Sequence, residues 1–438
     1  MNKFTLLLFF AAFFYSCDKD DNSAPQPYTP GEQPTANLPA YPVQRQNNYP
    51  IVLVHGMCGW GRDEMNGFYY WGGKGDIQTY LNTQGYTTYT ASMGPLSSNW
   101  DRAVELYYNI VGGVVDYGAV HAMRHGHSRY GESYPGFYPK WNAANKVHFI
   151  GHSMGGPTPR LLIELLENGD EQEKAYIPGP HEAPTSDLFK GGKNNWVASH
   201  TTISGVHDGA LPADFVGFHD NLMKMLIGMG AIGGIILEEN AVYNFDLGQW
   251  GLQRQENESP KAYMERVFDK TAADDGSAAR FWQSQDNCVY DLSVKASQMQ
   301  NYWAKSSHNV YYASYSFNDM TEQPDGIWTP SDNMNPLLKP DGVGIGKTTL
   351  NLPLGYNKWR PCDGLVSVPS GQYPIGHDYI LRDTIHRKLA PKGVWDVHPV
   401  IQGQDHISII TPDNKQSSTN WLNKFYLKIA KDLSCLPI

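Results

Sequence analysis

The apolar run Val147-His148-Phe149-Ile150 leads directly into Gly151-His152-Ser153-Met154-Gly155, and the stretch from Arg160 to Asn168 that follows reads as a helix. Strand, tight turn and helix in that order lift a serine hydroxyl out of a sheet, and glycines on both sides permit the strained turn and the close packing of the helix behind it. The alternative is an unreactive serine in a Gly-rich turn, and the rest of the chain has to decide between the two.

Partners for such a serine follow in a telling order. Upstream, Ile51-Val52-Leu53-Val54 reads as a strand that ends in His55-Gly56-Met57, where a backbone N–H can face the oxyanion of an acyl-transfer intermediate. Met57 and Met154, the latter directly after the serine, are the expected pair of N–H donors. Downstream, Asp363-Gly364-Leu365-Val366 has the form of an acid just after a strand, and Asp405-His406 lies further on. A hydroxyl is a poor nucleophile at neutral pH. Ser153 therefore needs His406 as base, and His406 needs Asp363 to fix its tautomer and stabilise the imidazolium. Asp363-Gly364 also suits a plain turn, and Asp405 is a competing acid, although adjacent residues rarely present their side chains to each other. The order serine, acid, histidine is that of the α/β-hydrolase fold.

The chain's 438 residues allow one large α/β domain with insertions, and a formal charge of -10 without a long basic stripe argues against nucleic acid as a partner. Lys3 followed by the short apolar run Phe4 to Phe14 has the form of an export signal. It ends in Phe14-Tyr15-Ser16-Cys17, similar to a bacterial lipoprotein cleavage box with Cys17 as the lipidated residue, while ordinary signal cleavage stays open. The expectation is thus an exported protein, either secreted or held at the outer membrane or cell surface through an N-terminal lipid anchor. Asp18-Lys19-Asp20-Asp21 opens a stretch poor in large apolar residues, so 18–48 is expected to be a disordered tether and 49–438 the folded body. Cys58, Cys288, Cys362 and Cys435 show neither a disulfide framework nor metal-type spacing.

Between the first strand and the serine turn, Trp60 to Lys146 reads as one long insertion, and it holds His121, His125 and His127 within seven residues. Neutral imidazoles at that density can bind a metal, or can simply decorate a polar loop. A second unassigned stretch, Leu222 to Leu237, is almost wholly apolar yet too short to span a bilayer, with Lys224 as its one charge. It is either a buried core helix or a mobile cover, and Gly228, Gly230, Gly233 and Gly234 lower its helix propensity by about 1 kcal/mol each relative to Ala.

Longer stretches carry a resemblance. Gly94-Pro95-Leu96-Ser97-Ser98-Asn99-Trp100-Asp101-Arg102-Ala103, Asp116-Tyr117-Gly118-Ala119, His207-Asp208-Gly209 and Asp246-Leu247-Gly248-Gln249-Trp250-Gly251-Leu252 resemble the zinc-containing true lipases of thermoalkaliphilic bacilli and their staphylococcal relatives. The likeness runs from about Tyr49 to the C-terminus. It implies an α/β-hydrolase fold with a zinc-binding insertion and a helical lid over about 215–240, acting at a lipid or ester interface on medium to long acyl esters, triacylglycerols first. Phospholipase or polyester-hydrolase activity on the same site, and a non-catalytic surface lipid-binding lipoprotein, are the competing readings. The family's zinc ligands fall on Asp101, His121, His127 and Asp286, a closed set of two imidazoles and two carboxylates that implies a structural metal. Its nucleophile, acid and base fall on Ser153, Asp363 and His406, and its oxyanion donors on Met57 and Met154. This chain departs from the family at Ser204-Gly205-Val206, where relatives carry Ala-Thr-Pro. It departs also at the calcium site: Asp413 matches one acidic ligand and Asn333 and Asn414 two carbonyl ligands, but Ser408 stands in place of the second carboxylate, so calcium binding is expected to be weak or lost.

Overall fold

Ile51–Val54 (β1) is buried at every position, as a central strand covered on both faces must be. Its side chains alternate between two cores: Ile51 and Leu53 join one cluster and Val52 and Val54 the other. In the computed structural model, which describes 31–437 apart from 34, 233–242, 270–275, 384, 386 and 413–415, β1 belongs to a seven-stranded sheet. The other strands are Thr88–Thr90 (β2), Val147–His152 (β3), Val197–Ile203 (β4), Tyr311–Tyr315 (β5), Tyr379–Leu381 (β6) and Trp395–Val397 (β7). Their spatial order is β6-β7-β5-β4-β3-β1-β2, with every pairing parallel. Parallel neighbours need crossover helices, which cover the two faces.

On one face lie helices Asn99–Val111 (α1) and Pro157–Glu167 (α3), which contribute Val104, Leu106, Ile110, Leu162 and Leu165 to the core shared with Val52, Val54 and Phe149. On the other lies the C-terminal helix Gln416–Cys435 (α5), with Leu422, Tyr426, Ile429 and Leu433 packed into the larger cluster. Burying each such aliphatic side chain contributes roughly 1.5–3 kcal/mol. Phe218–Ile232 (α4) is laid over the same cluster through Leu222, Met225 and Leu226, an i, i+3, i+4 stripe, while Ile227 faces outward. The apolar helix expected from Leu222 thus starts four residues earlier in the sequence, and its expected end at Leu237 lies outside the described residues.

Three expectations are corrected. Asp363 does not follow a strand of the sheet; it occupies a tight turn closed by a bridge between Cys362 and Ser367 and by the Asp363 N–H donating to the Val366 carbonyl at 3.2 Å. The span 60–146 is not one insertion, because it contains β2 and α1, both integral to the sheet and its cover; a three-residue edge strand is too short to show alternation. What lies outside the main sheet is the antiparallel hairpin Gly113–Asp116 with Tyr130–Tyr134 and the helix Ala119–His125 (α2) between its arms. Finally, the tether expected through Asn48 ends sooner. Tyr41 is buried, the Gln33 N–H donates to the Tyr379 carbonyl of β6 at 2.8 Å, and the Asn47 N–H reaches the Ser434 carbonyl at 3.1 Å. Backbone bonds, together with the Asn47 amide donating to the Leu433 and Leu436 carbonyls, hold this polar stretch where composition gave no signal. Residues 1–30, with Cys17 and the expected export signal, lie outside the described residues.

Candidate active site and metal centre

The serine turn is built where β3 ends. Ser153 has φ of +57°, in the left-handed region that a side chain enters only under constraint. The constraint is close packing. A Cβ on Gly151 would stand 1.7 Å from the Gly155 carbonyl oxygen, and one on Gly155 would stand 2.0 Å from that of Val54, so glycine is required at both places. The Ser153 side chain is left partly exposed at the carboxyl end of the sheet, with α3 starting at Pro157 behind it. That end is where ligands meet open α/β sheets.

His406 and Asp363 meet as expected, with Nδ1 of the imidazole 2.7 Å from Asp363 Oδ2. The His406 backbone N–H also donates to the Asp363 carbonyl at 2.9 Å. The fully buried Asp363 carboxylate accepts on its other oxygen from the N–H groups of Leu365 at 3.0 Å and Val366 at 2.7 Å. A fourth donor, which sequence reasoning missed, is the Ser204 hydroxyl at the end of β4, bonded to Asp363 Oδ2. Its only trace in the sequence was the departure from the family's Ala-Thr-Pro. The competing acid, Asp405, is bonded elsewhere. Its oxygens accept from the N–H groups of Asn335 at 2.8 Å, Ile407 at 3.0 Å and Ser408 at 2.8 Å, fixing the turn on which His406 stands. The His406 ring lies against the elbow, its centroid 4.4 Å from that of His152. Donation from Ser153 to His406 is not formed among the described residues; such bonds commonly tighten only when substrate is bound.

Met57 follows β1 and Met154 occupies the first turn after the serine. A Cβ on Gly56 would lie 2.7 Å from the Ser153 Cβ, so the loop carrying Met57 abuts the nucleophile.

The second constellation converges without sequence proximity. Asp101 in the first turn of α1, His121 on α2, His127 just past it and Asp286 from a distant loop bring one ligand atom each within 4.8 Å of one another. His121 Nε2 is 3.2 Å from Asp101 Oδ1 and 3.3 Å from Asp286 Oδ1, and His127 Nε2 is 3.1 Å from Asp286 Oδ2. Asp101 Oδ1, His121 Nε2, His127 Nε2 and Asp286 Oδ2 are buried without a hydrogen-bond partner, the state expected of atoms that share a cation. Outer contacts orient them. His127 Nδ1 pairs with the Ser128 carbonyl at 2.8 Å, which leaves Nε2 as the free lone pair; Gln249 donates to Asp101 Oδ2 at 2.8 Å; the Trp100 ring stacks on His121 at 4.9 Å. His125 is not in the set, as expected, though its ring lies 4.6 Å from that of His121. This buried Asp/His group is able to hold a metal ion. At the expected calcium site, Asp413 and Asn414 lie outside the described residues, and the Ser408 hydroxyl is engaged within its own turn, donating to the Asp405 carbonyl at 2.9 Å.

A strained serine at the carboxyl edge of a parallel sheet, backed by a hydrogen-bonded histidine and a buried acid in that chain order, defines an α/β-hydrolase. Comparison with known proteins narrows the class. The family profile described as "Lipase-like, C-terminal domain" matches residues 47–436. Lipase 2 of Staphylococcus aureus is 38% identical over 404 residues, which cover 90% of this chain and 55% of that protein. Among solved structures, EstA from Clostridium botulinum superposes with a TM-score of 0.80 at 36% identity, covering 93% of this chain and 96% of that one. Staphylococcus hyicus lipase gives 0.74 at 36% identity, covering 91% and 97%. The chain belongs to this lipase family. It spans about half the length of the curated relatives it matches.

Proposed function

We propose that this protein is a lipase that hydrolyses carboxylic esters of medium to long acyl chains, triacylglycerols among them, through a serine acyl-enzyme. The observation that carries the reading is the strained Ser153 elbow beside a His406–Asp363 pair in which the acid holds Nδ1 and leaves Nε2 for the serine proton. In this mechanism Ser153 Oγ attacks the ester carbonyl while His406 Nε2 takes its proton, and the oxyanion is received by the N–H groups of Met57 and Met154. His406 then protonates the leaving alcohol, and water repeats the cycle on the acyl-enzyme. Asp363 stays ionised throughout and stabilises the imidazolium.

Asp101, His121, His127 and Asp286 would hold zinc, favoured over harder cations by the two imidazoles. With four protein ligands the metal would cross-link the α2 hairpin to the body and would leave no position for a reacting water. Helix α4, apolar on the face laid over the core and carrying Ile227 outward, acts as a lid that opens against lipid. The N-terminal sequence supports export, either with Cys17 as the site of a lipid anchor or by ordinary signal cleavage and secretion. The test is to treat the purified protein with an active-site phosphonate, and to assay a chain-length series of p-nitrophenyl esters beside emulsified triglyceride. Labelling of Ser153 alone, and turnover lost in Ser153→Ala at unchanged stability, are the expected results; labelling elsewhere or near-normal turnover in the variant removes the hydrolase reading.

A further inference from the structure

The loop His55-Gly56-Met57-Cys58-Gly59 is bonded at two successive peptide planes. In the first, the His55 carbonyl accepts from the Arg102 guanidinium, and the Gly56 N–H donates to the Tyr70 hydroxyl at 3.0 Å. In the second, the Gly56 carbonyl accepts from the Gly59 N–H at 3.2 Å and lies 2.8 Å from His55 Nδ1. Which ring nitrogen carries the proton is fixed at the far side of the imidazole. The Met93 N–H points at His55 Nε2 from 3.2 Å, and since an N–H can only donate, Nε2 is the acceptor and Nδ1 the donor.

Space has been cleared for this contact. A Cβ on Gly59 would stand 2.2 Å from His55 Nδ1, so any other residue there would displace the ring. His55 is fully buried. Burial, with the Arg102 charge nearby, pushes its imidazole down to about 3, so it is neutral whenever the protein is folded near neutral pH.

We propose that His55 is the positioning residue of the oxyanion hole, its Nδ1–H holding the Gly56 carbonyl so that the Met57 N–H on the opposite edge of the same planar peptide faces the substrate oxygen. The inference rests on the ester-hydrolase reading above. A peptide unit is rigid, and in a trans unit the C=O and N–H point in opposite directions. Fixing one therefore aims the other. Without the imidazole, the Gly59 turn bond is the one tie left to the Gly56–Met57 unit among the described residues, and glycine at 56 gives little resistance to its rotation. Arg102 and Tyr70 hold the preceding plane, and Arg102 extends the hold to the Gly94 carbonyl at 2.9 Å and to the Thr158 hydroxyl on α3 at 3.2 Å.

The experiment compares His55→Phe, which keeps a ring and removes the donor, with His55→Asn, whose amide N–H sits where Nδ1 was. In the full chain, His55→Phe is expected to lower kcat on a soluble p-nitrophenyl ester about 100-fold, the scale of losing one oxyanion donor, with KM within about threefold. Affinity for an alkyl boronic acid, which becomes tetrahedral on Ser153 Oγ, should fall in parallel. His55→Asn should recover at least about tenfold of the loss in kcat. Unchanged kcat in His55→Phe, a change confined to KM, or equal loss in both variants overturns the proposal. Nitrogen NMR of the wild-type imidazoles, assigned by the signal missing from His55→Asn, stands apart from activity. A neutral ring protonated on Nδ1 is expected; protonation on Nε2 refutes the proposal even if the Phe variant fails to fold. Wild-type protein that turns over no ester and binds no boronic acid would instead sink the hydrolase reading, with the tautomer still on record.

Discussion

Replacing Asp363 by Asn tests the site more severely than deleting the carboxylate, because the hydrogen bonds around it dictate which way the amide must face. One oxygen of Asp363 receives two backbone N–H groups, from Leu365 and Val366, which bond to no other acceptor among the described residues. In Asp363→Asn the amide oxygen must stay with them, since reversing it would set an NH2 against two buried donors at a cost of about 1–3 kcal/mol for each donor left unmet. The NH2 is then forced toward Ser204 and His406. The Ser204 hydroxyl can rotate to accept, but His406 Nδ1 can accept only by giving up its proton to Nε2, the nitrogen that should receive the Ser153 proton. The base is thereby locked in the wrong tautomer. A fall in kcat of about 10⁴ is expected, or about 5.4 kcal/mol at 1.36 kcal/mol per tenfold, with stability reduced by no more than about 1–2 kcal/mol because every partner is still met. The assay is kcat for a soluble p-nitrophenyl ester across pH, with thermal melting alongside, and Asp363→Ala, which loses the anion without imposing the tautomer, should be the less impaired of the two. A kcat for Asp363→Asn within about tenfold of wild type, or a larger loss in Asp405→Asn, would refute the assignment.

Three further outcomes are expected. Burial, then the charges of Glu64 and Glu132, raises Asp246 to about 8, whereas it titrates near 3.9 when unfolded; between those values the folded chain keeps a proton that the unfolded chain has released. This group's contribution to stability therefore falls as pH rises through that window and levels off above it, so the Tm advantage of Asp246→Asn over wild type should grow from acid to about pH 8, and a constant difference would contradict it. A Cβ at Gly228 would press to 2.6 Å from Leu337 Cδ2, so Gly228→Val should lift α4 from the body and raise activity on monomeric esters relative to emulsions, an effect whose absence would count against a lid. Elemental analysis should find about one zinc per chain, and His121→Ala or chelation should lower Tm while low-temperature turnover persists; lost turnover at unchanged Tm would make the metal catalytic.

Much of this was legible locally, and the rest was not for identifiable reasons. The elbow announces itself because its strand, turn and helix follow one another without interruption from Val147 to Asn168. Chain order and the need of a histidine for an acid pointed to Asp363, yet the expected strand before it is a turn, since an Asp-Gly-Leu-Val sequence serves either. Ser204 and Gln249 could not be found from sequence, because each acts on a carboxylate more than a hundred residues away along the chain through a single hydrogen bond. The metal set was only partly visible in the histidine spacing; Asp101 and Asp286 became candidates through family resemblance. Residues 31–48 read as a tether because what holds them is a handful of backbone bonds and a few side chains, chiefly the buried Tyr41 and Asn47, which overall composition does not report.

That N-terminal stretch also settles how the sheet ends. Glu32 bridges in parallel to Tyr379, and its neighbour Gln33 bonds to the same residue, so a strand that would stand at the margin with bare N–H and C=O groups is capped by the segment ahead of the first strand. Exposed margins of this kind recruit other chains, and proteins avoid aggregation by covering them. A chain trimmed to begin at Tyr49 would keep every residue of both constellations and still present β6 as a sticky selvedge. Its failure would take the form of concentration-dependent self-association with the chemistry intact, so solubility, more than activity, dictates where this protein can be cut.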